Sequence, residues 1–253
     1  MSPYQSLGKI LVIIPTYNEI DNVDIAISQV RENTPDVDVL IADDNSPDGT
    51  GHKADEIAAQ DPQVSVLHRA GKQGLGAAYL DSFQWAKDQG YDVVVEMDAD
   101  GSHRAEDLSN ILTALVDADV ALGSRWVKGG KVVNWPIHRK VLSRGGNIYT
   151  KIWLGMPISD ATGGYRAFRM SALDAIGVHA VASQGYCFQV DMAWRAVQAG
   201  LTVVEVPITF IERVRGESKM DQAIVKEALA RVTVWGLNKR LRDLSRPFSR
   251  STK

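Results

Sequence analysis

Along the first half of the chain, short continuous apolar runs alternate with stretches in which apolar residues recur at helical spacing. KILVIIP (9–15), VDVLIAD (37–43), QVSVLHR (63–69), YDVVVEM (91–97) and DVALGS (119–124) predict strands, and 21–33, 52–60, 75–89 and 105–117 predict helices. Apolar strands without polar alternation, separated by helices, predict an α/β fold with a mostly parallel sheet covered on both faces. Ligands of such sheets bind beyond the carboxyl ends of the strands. The segments just past those ends, PTYNE, ADDNSPDG, DADGSH and GSRW, are therefore the candidate site.

Past residue 125 the rhythm changes. A Gly-, Lys- and Trp-rich loop (126–136) precedes a predicted helix (138–154), then SDATGGYRAFR, a helix over 187–199, a strand over 201–211 and a basic loop, ERVRGESKM. Residues 221–242 place Ile224, Val225, Ala228, Leu229, Val232 and Trp235 at helical spacing, with Lys226, Arg231 and Lys239 elsewhere on the wheel. The pattern predicts a catalytic domain over 1–220, an amphipathic helix over 221–242 and a disordered tail over 243–253. That helix either packs on its own domain or rests on an anionic membrane surface or an integral-membrane partner.

Composition narrows the class. Of 253 residues, 45% are hydrophobic and 23% charged, as in an ordinary globular chain. A single cysteine, Cys187 in an apolar context, excludes an internal disulfide and reads as a buried structural thiol. No signal-peptide pattern opens the sequence and no run approaches the roughly 20 apolar residues of a membrane span, so a cytoplasmic location is expected. Net charge is 28 − 31 = −3, which gives no reason to expect a nucleic-acid partner. The charge is uneven: residues 213–253 hold 11 basic and 4 acidic side chains, a net of +7, so the first 212 carry −10.

The chemistry begins with Asp98 and Asp100. Residues two apart share one face of a strand, so both project together from the strand end, and a divalent cation relieves their repulsion. Mg²⁺ or Mn²⁺ needs only one or two protein carboxylates when a diphosphate completes its shell, and Ser102 offers a further oxygen. The same D-A-D at 117–119 precedes a strand instead, and reads as a solvated turn. Asp43 and Asp44 end the second strand, where a carboxylate suits the donors of guanine or the N3 of uracil; Asp48 and Thr50 read as a helix cap. GKQGLGAAY lacks the third glycine of a dinucleotide loop and reads as a close-packed helix start. Arg125, the group Arg139, Lys140 and Arg144, and the group Arg213, Arg215 and Lys219 form three separated basic clusters, suited to several phosphates. Glu96 shares the parity of the two aspartates within an apolar strand, where only a salt bridge suggests itself.

PTYNE (15–19), DDNSPDGT (43–50), the GLG helix start, MDADGSH (97–103), GSRW (123–126), RKVLSRG (139–145) and RVRGESK (213–219), in this order, resemble the polyprenol (dolichol) monophosphomannose synthases, inverting glycosyltransferases of the GT-A (Rossmann-like) fold. The resemblance implies that Pro15, Tyr17, Glu19, Ala42 and Asp44 line the pocket of GDP-mannose, Ala42 through its backbone. It implies that Asp98, Ala99 and Asp100 meet the ribose-diphosphate and metal, with Asp100 the firmest ligand. It sets Arg125, Arg213 and Lys219 near the donor phosphates, and Arg139, Ser143 and Arg144 at the phosphate of a polyprenyl acceptor. Some members carry Gln where this chain has Ser102, and many end in transmembrane helices that this chain lacks. A cytoplasmic protein peripherally associated with the cytoplasmic face of a membrane is expected, its mode of attachment left open.

A phosphate monoester is substantially ionised at neutral pH, its second pKa being about 6, so it attacks the sugar C1 without a general base. Asp100, Arg139, Ser143, Arg213 and Lys219 are then the expected catalytic groups, acting through charge and alignment. Asp191 suits either a sugar hydroxyl or a cap in a core helix. The competing readings are a UDP-sugar-dependent polyprenyl-phosphate transferase of the same fold, a non-catalytic GDP-sugar-binding regulator, and a sugar nucleotidyltransferase. The last should show a Gly- and Arg-rich loop after the first strand, where PTYNE stands.

Overall fold

A computed structural model describes residues 2–178, 181, 186–212 and 222–245. The strands are β1 (Ile10–Thr16), β2 (Asp38–Asp43), β3 (Val64–His68), β4 (Val93–Glu96), β5 (Val120–Ser124), β6 (Lys131–Val133), β7 (Arg166–Arg169), β8 (Val203–Pro207) and β9 (Thr209–Ile211). The helices are α1 (Val23–Asn33), α2 (Thr50–Ala58), α3 (Leu75–Asp88), α4 (Leu108–Leu115), α5 (Ile137–Leu154), α6 (Met170–Ile176), α7 (Tyr186–Gln198) and α8 (Gln222–Ser245).

Seven strands form one sheet in the order β3-β2-β1-β4-β7-β5-β8, and β6 pairs with β9 in a two-stranded ribbon. Only β7 runs antiparallel to its neighbours in the large sheet. Both faces of the central strands are buried. Along β1, Ile10, Val12 and Ile14 join the core beneath α1 and α4, while Leu11 and Ile13 join the core beneath α3, α6 and α7. The period-2 geometry of a strand divides one apolar run between two layers.

Several elements depart from the sequence expectation: β6 forms within the segment expected to be a loop, and α6 was not expected. RAFR forms β7, inserted antiparallel between β4 and β5, with Glu96 opposite Arg166. The single strand expected over 201–211 divides after Pro207, whose ring removes a ladder donor, and its second part leaves for the ribbon with β6. Helix α8 continues to Ser245, past the expected end at 242; residues 246–253 lie outside the described residues. Helix α8 packs on α5 and α7: Val232 is buried, Trp235 stacks on Trp194 with centroids 5.6 Å apart, and Tyr149 shares a 2.5 Å hydrogen bond with Thr233. Among the described residues no helix is long and apolar enough to cross a membrane.

Candidate active site

The carboxyl ends of β1, β2, β4 and β5 carry the segments singled out from the sequence. Asn18 and Asn45 adopt φ of 58° and 57°, a left-handed conformation that Asn tolerates better than most residues. They turn the chain out of β1 and β2 side by side, and the Asn18 N–H donates to Ser46 Oγ at 3.1 Å. The paired aspartates then separate in role. Asp43 builds the turn, accepting from Thr16 Oγ1 (3.0 Å), Ser46 Oγ (2.6 Å) and Ser46 N–H (3.0 Å). Asp44 faces Arg69, which ion-pairs with it and also donates to Asp81 at 2.8 Å. Burial raises the carboxyl pKa of Asp44, and the Arg69 charge opposes that shift. Pro15 lies opposite Ala42 in the β1–β2 register, and Lys72 stands over the ring of Tyr17 at 4.4 Å. Glu19 accepts from Asn22 Nδ2 at 2.8 Å. Asp48 accepts from Thr50 N–H and Oγ1 and from Ile20 N–H, tying α2 to the end of β1.

Strand β4 ends at Glu96, so Asp98 and Asp100 stand in the turn that follows rather than on one face of the strand. Both aspartates therefore leave the pleat of the strand, in a turn that carries Gly101 at φ 75°. Both are felt by Tyr79, whose buried hydroxyl is pushed well above the usual phenol range, first by burial and then by Asp98, Glu96 and Asp100. Asp100 Oδ1 accepts from Ser102 N–H at 3.0 Å. Ser102 is buried, and its Oγ has no hydrogen-bond partner among the described residues. Two carboxylates in a turn, a neighbouring orphaned hydroxyl and, among the described residues, no third clustered ligand describe a partial shell. Such a shell fits a hard divalent ion whose remaining ligands are substrate phosphates. The control motif behaves as expected: Asp119, at the opposite end of β5, accepts from Thr202 N–H.

His103 fixes this turn. Its Nδ1 accepts from Asp98 N–H at 3.0 Å, which leaves Nε2 to carry the proton in the neutral ring. The ring stacks on Tyr165 at 4.9 Å and meets the edge of Phe210 at 5.6 Å. Glu96 also finds its explanation here. It is fully buried opposite Arg166, accepts from Gln189 Nε2 at 2.8 Å, and is pushed up to about 7 by burial against the pull of Arg166. Arg166 in turn donates to the carbonyls of Ala161, Gly163 and Gln189, fixing the TGG loop beside the aspartate turn.

The basic residues divide between positions. Arg125 is buried and holds Asp160 bidentately, with both side-chain contacts at 2.7 Å, and donates to Thr162. Burial raises the Asp160 pKa, but the charge and hydrogen bonds of Arg125 outweigh it and leave it below the usual range. The structure thus gives Arg125 a buried carboxylate partner, not an open face. Arg139 lies over Trp135 at 4.4 Å and donates to Glu212, while Arg144 stands over Trp126 at 5.3 Å and is exposed. Ser143 follows Arg139 by one turn of α5 on the same side, its Oγ buried and without a partner among the described residues. Arg213 and Lys219 lie outside the described residues. Asp191 ion-pairs with Arg195 at 2.8 Å, within α7.

A mostly parallel sheet with an aspartate turn and an arginine-bearing helix at its carboxyl edge defines a glycosyltransferase of the GT-A fold. A sequence model of Glycosyl transferase family 2 matches residues 11–177, and the chain belongs to that family. Within it, the chain is a member of the polyprenol monophosphomannose synthase group. It is 53% identical to the undecaprenyl-phosphate mannosyltransferase of Micrococcus luteus over 93% of this chain and 97% of that one. It is likewise 53% identical to the polyprenol monophosphomannose synthase of Mycolicibacterium smegmatis, over 91% and 88%. Among solved structures, the mannosyltransferase PcManGT from Pyrobaculum calidifontis, in complex with GDP-Man and Mn²⁺, shares the fold with a TM-score of 0.60 at 21% identity. That match covers 93% of this chain and 65% of the other.

Proposed function

We propose that this enzyme moves mannose from GDP-mannose to the phosphate of a polyprenyl phosphate, with inversion, at the cytoplasmic surface of a membrane. The observation that carries the reading is helix α5, which presents Arg139 and Ser143 toward the protein and Ile137, Val141, Ile148 and Ile152, between 59 and 80% exposed, away from it. A substrate with an anionic head and a long apolar tail matches those two faces. A small water-soluble acceptor matches only the first.

In this reading Pro15, Tyr17, Glu19, Ala42 and Asp44 receive the nucleoside, with Arg69 orienting Asp44. Asp98 and Asp100 would hold the metal, Mg²⁺ or Mn²⁺, beside the diphosphate. When bound, that ion supplies positive charge to the departing GDP. Arg213 and Lys219, assigned by sequence resemblance, add charge at the same place. Arg139 and Ser143 align the acceptor phosphate oxygen behind C1 of the sugar, with Arg144 beside them, and displacement from the face opposite GDP converts α- to β-mannosyl phosphate. Arg125 acts through Asp160 and Asn147, whose hydrogen bonds anchor α5.

Pure protein incubated with labelled GDP-mannose, Mg²⁺ and undecaprenyl phosphate should form labelled lipid. Robust transfer from UDP-glucose in place of GDP-mannose would falsify the donor assignment. Binding of pure protein to anionic liposomes supports a bilayer as the occupant of the exposed α5 face; binding that requires an added integral-membrane protein assigns the face to that partner.

A further inference from the structure

Arg139, the residue placed at the acceptor phosphate, already holds an anion of the protein's own. Its Nη1 lies 2.6 Å from both carboxylate oxygens of Glu212, and the two side chains are only 12 and 22% exposed. The pair is not a loose surface contact. The guanidinium rests on Trp135, its Nε is buried without a partner among the described residues, and Trp135 meets the edge of Phe210 at 5.3 Å. Glu212 is also held from behind: its N–H donates to Val133 O at 3.1 Å, and the preceding Ile211 N–H donates to Ser102 O at 3.3 Å. Its carboxylate is therefore delivered to Arg139 by the same ribbon that touches the aspartate turn.

A carboxylate at this place sets what an incoming anion must overcome to reach Arg139. An incoming phosphate gains the guanidinium only by displacing a charge of −1. A phosphate monoester carries about −1.5 to −2 at pH 7 and exceeds that charge. After transfer the same phosphorus is a diester with a single negative charge, no greater than that of Glu212. We propose that Glu212 is a positioning residue that occupies Arg139 until an acceptor phosphate displaces it and returns when the product has formed, weakening acceptor and product alike and so hastening release of the mannosylated lipid. The inference rests on the assignment of Arg139 to the acceptor phosphate.

The test uses the full chain with two short ligands, citronellyl phosphate and its monoanionic O-methyl ester, binding measured by calorimetry and product inhibition by initial rates. The parent protein should bind the monoester more tightly than the ester, which carries up to one charge fewer. In Glu212→Gln both ligands should bind about tenfold tighter, because no internal charge-assisted contact has to be broken first, and product inhibition should deepen correspondingly. Unchanged affinities in Glu212→Gln, with Arg139→Ala weakening the monoester, overturn the role of Glu212 alone. No effect of Arg139→Ala on either ligand overturns the acceptor assignment beneath it. GDP-mannose affinity, read in all three proteins, reports whether the donor side remains folded.

Discussion

Helices α1 and α5 both carry a regular apolar stripe, and they turn it in opposite directions. In α1 the stripe of Val23, Ala26, Ile27 and Val30 is buried against the sheet, the usual arrangement of a globular helix. In α5 the side turned inward is polar: Asn147 and Thr150 are buried, Ser143 Oγ and Arg139 Nε are shielded, and Ile137, Val141, Ile148 and Ile152 face out. A polar inner face is stable only if its groups find partners. Asn147 Nδ2 donates to Asp160 and Thr162, its Oδ1 accepts from Ala161 N–H, and Thr150 Oγ1 donates to Gly146 O. Helix α1 is held chiefly by exclusion of water, whereas α5 adds these hydrogen bonds to the apolar contacts of Leu154, Tyr149 and Trp153 near its end, which leaves its outer apolar face available to another phase.

The largest expected effect is on stability, and it sets the same substitution in both helices. Val30→Asp places an unpaired charge in a fully buried position and should cost about 3–5 kcal/mol, the penalty of an uncompensated buried ion. Ile148→Asp lands on an exposed position and should change stability by about 0.5 kcal/mol or less. Urea denaturation of the two variants beside the parent measures both. Equal losses would mean that α5 is seated on apolar contacts and that its orientation has been misread.

Next in size is the anchor of α5. Asp160→Asn leaves Arg125 buried against a neutral amide and should cost about 3 kcal/mol near neutral pH, at the lower end of the range for a broken buried pair. The sign with pH follows from the lowered carboxyl pKa of Asp160. Its stabilising contribution is present above the ordinary value of 3.8 and is lost as pH falls through the folded-state value. The gap between parent and variant should therefore close in acid. A constant gap from pH 7 to below 3 would show that the ion pair is not its source.

Much of this contrast was written in the sequence, but not its direction. The spacing of Ile137, Val141, Ile148 and Ile152 against Arg139, Ser143, Asn147 and Thr150 is visible in one line of residues; which side faces home depends on Asp160 and Thr162, which only folding brings near. Strands β1 to β5 were legible because each is rich in apolar, mostly β-branched residues and is separated from the next by a segment of helical period. β7 was not, because RAFR is four residues long, is bounded by arginines and gains its partners through a chain reversal after Gly163 and Gly164. The aspartates at 98 and 100 could be found from their place after a strand, whereas Arg69 and Lys72 act on side chains distant in sequence, Asp44 and Tyr17, and His103 acts on the backbone of Asp98. For His103 the neighbouring D-x-D was the available signal.

Membrane binding should respond more modestly than folding does. Replacing Ile152 by Asp removes an apolar contact worth about 1.5–3 kcal/mol when fully buried and adds repulsion from anionic lipid. Co-sedimentation with phosphatidylglycerol vesicles should then fall by about tenfold, with the thermal midpoint unchanged. Val234, Leu237 and Leu241 of α8 are also exposed, at 46 to 64%, beside α5. Leu241→Asp should accordingly share the direction of the effect, and a loss confined to α5 would restrict the lipid-facing surface to that helix.

The smallest effect is the most discriminating. Ile25 of α1 is 45% exposed, so it matches the α5 residues in type and nearly in exposure, but it stands alone on a helix whose stripe is already buried. Isolated exposed apolar side chains are ordinary on protein surfaces. Ile25→Ser should therefore alter stability by less than about 0.5 kcal/mol and leave vesicle binding at the parent level. If it weakened vesicle binding as much as Ile152→Asp does, attachment would follow total surface hydrophobicity, and the opposed orientation of the two helices would have no bearing on where the enzyme meets its lipid.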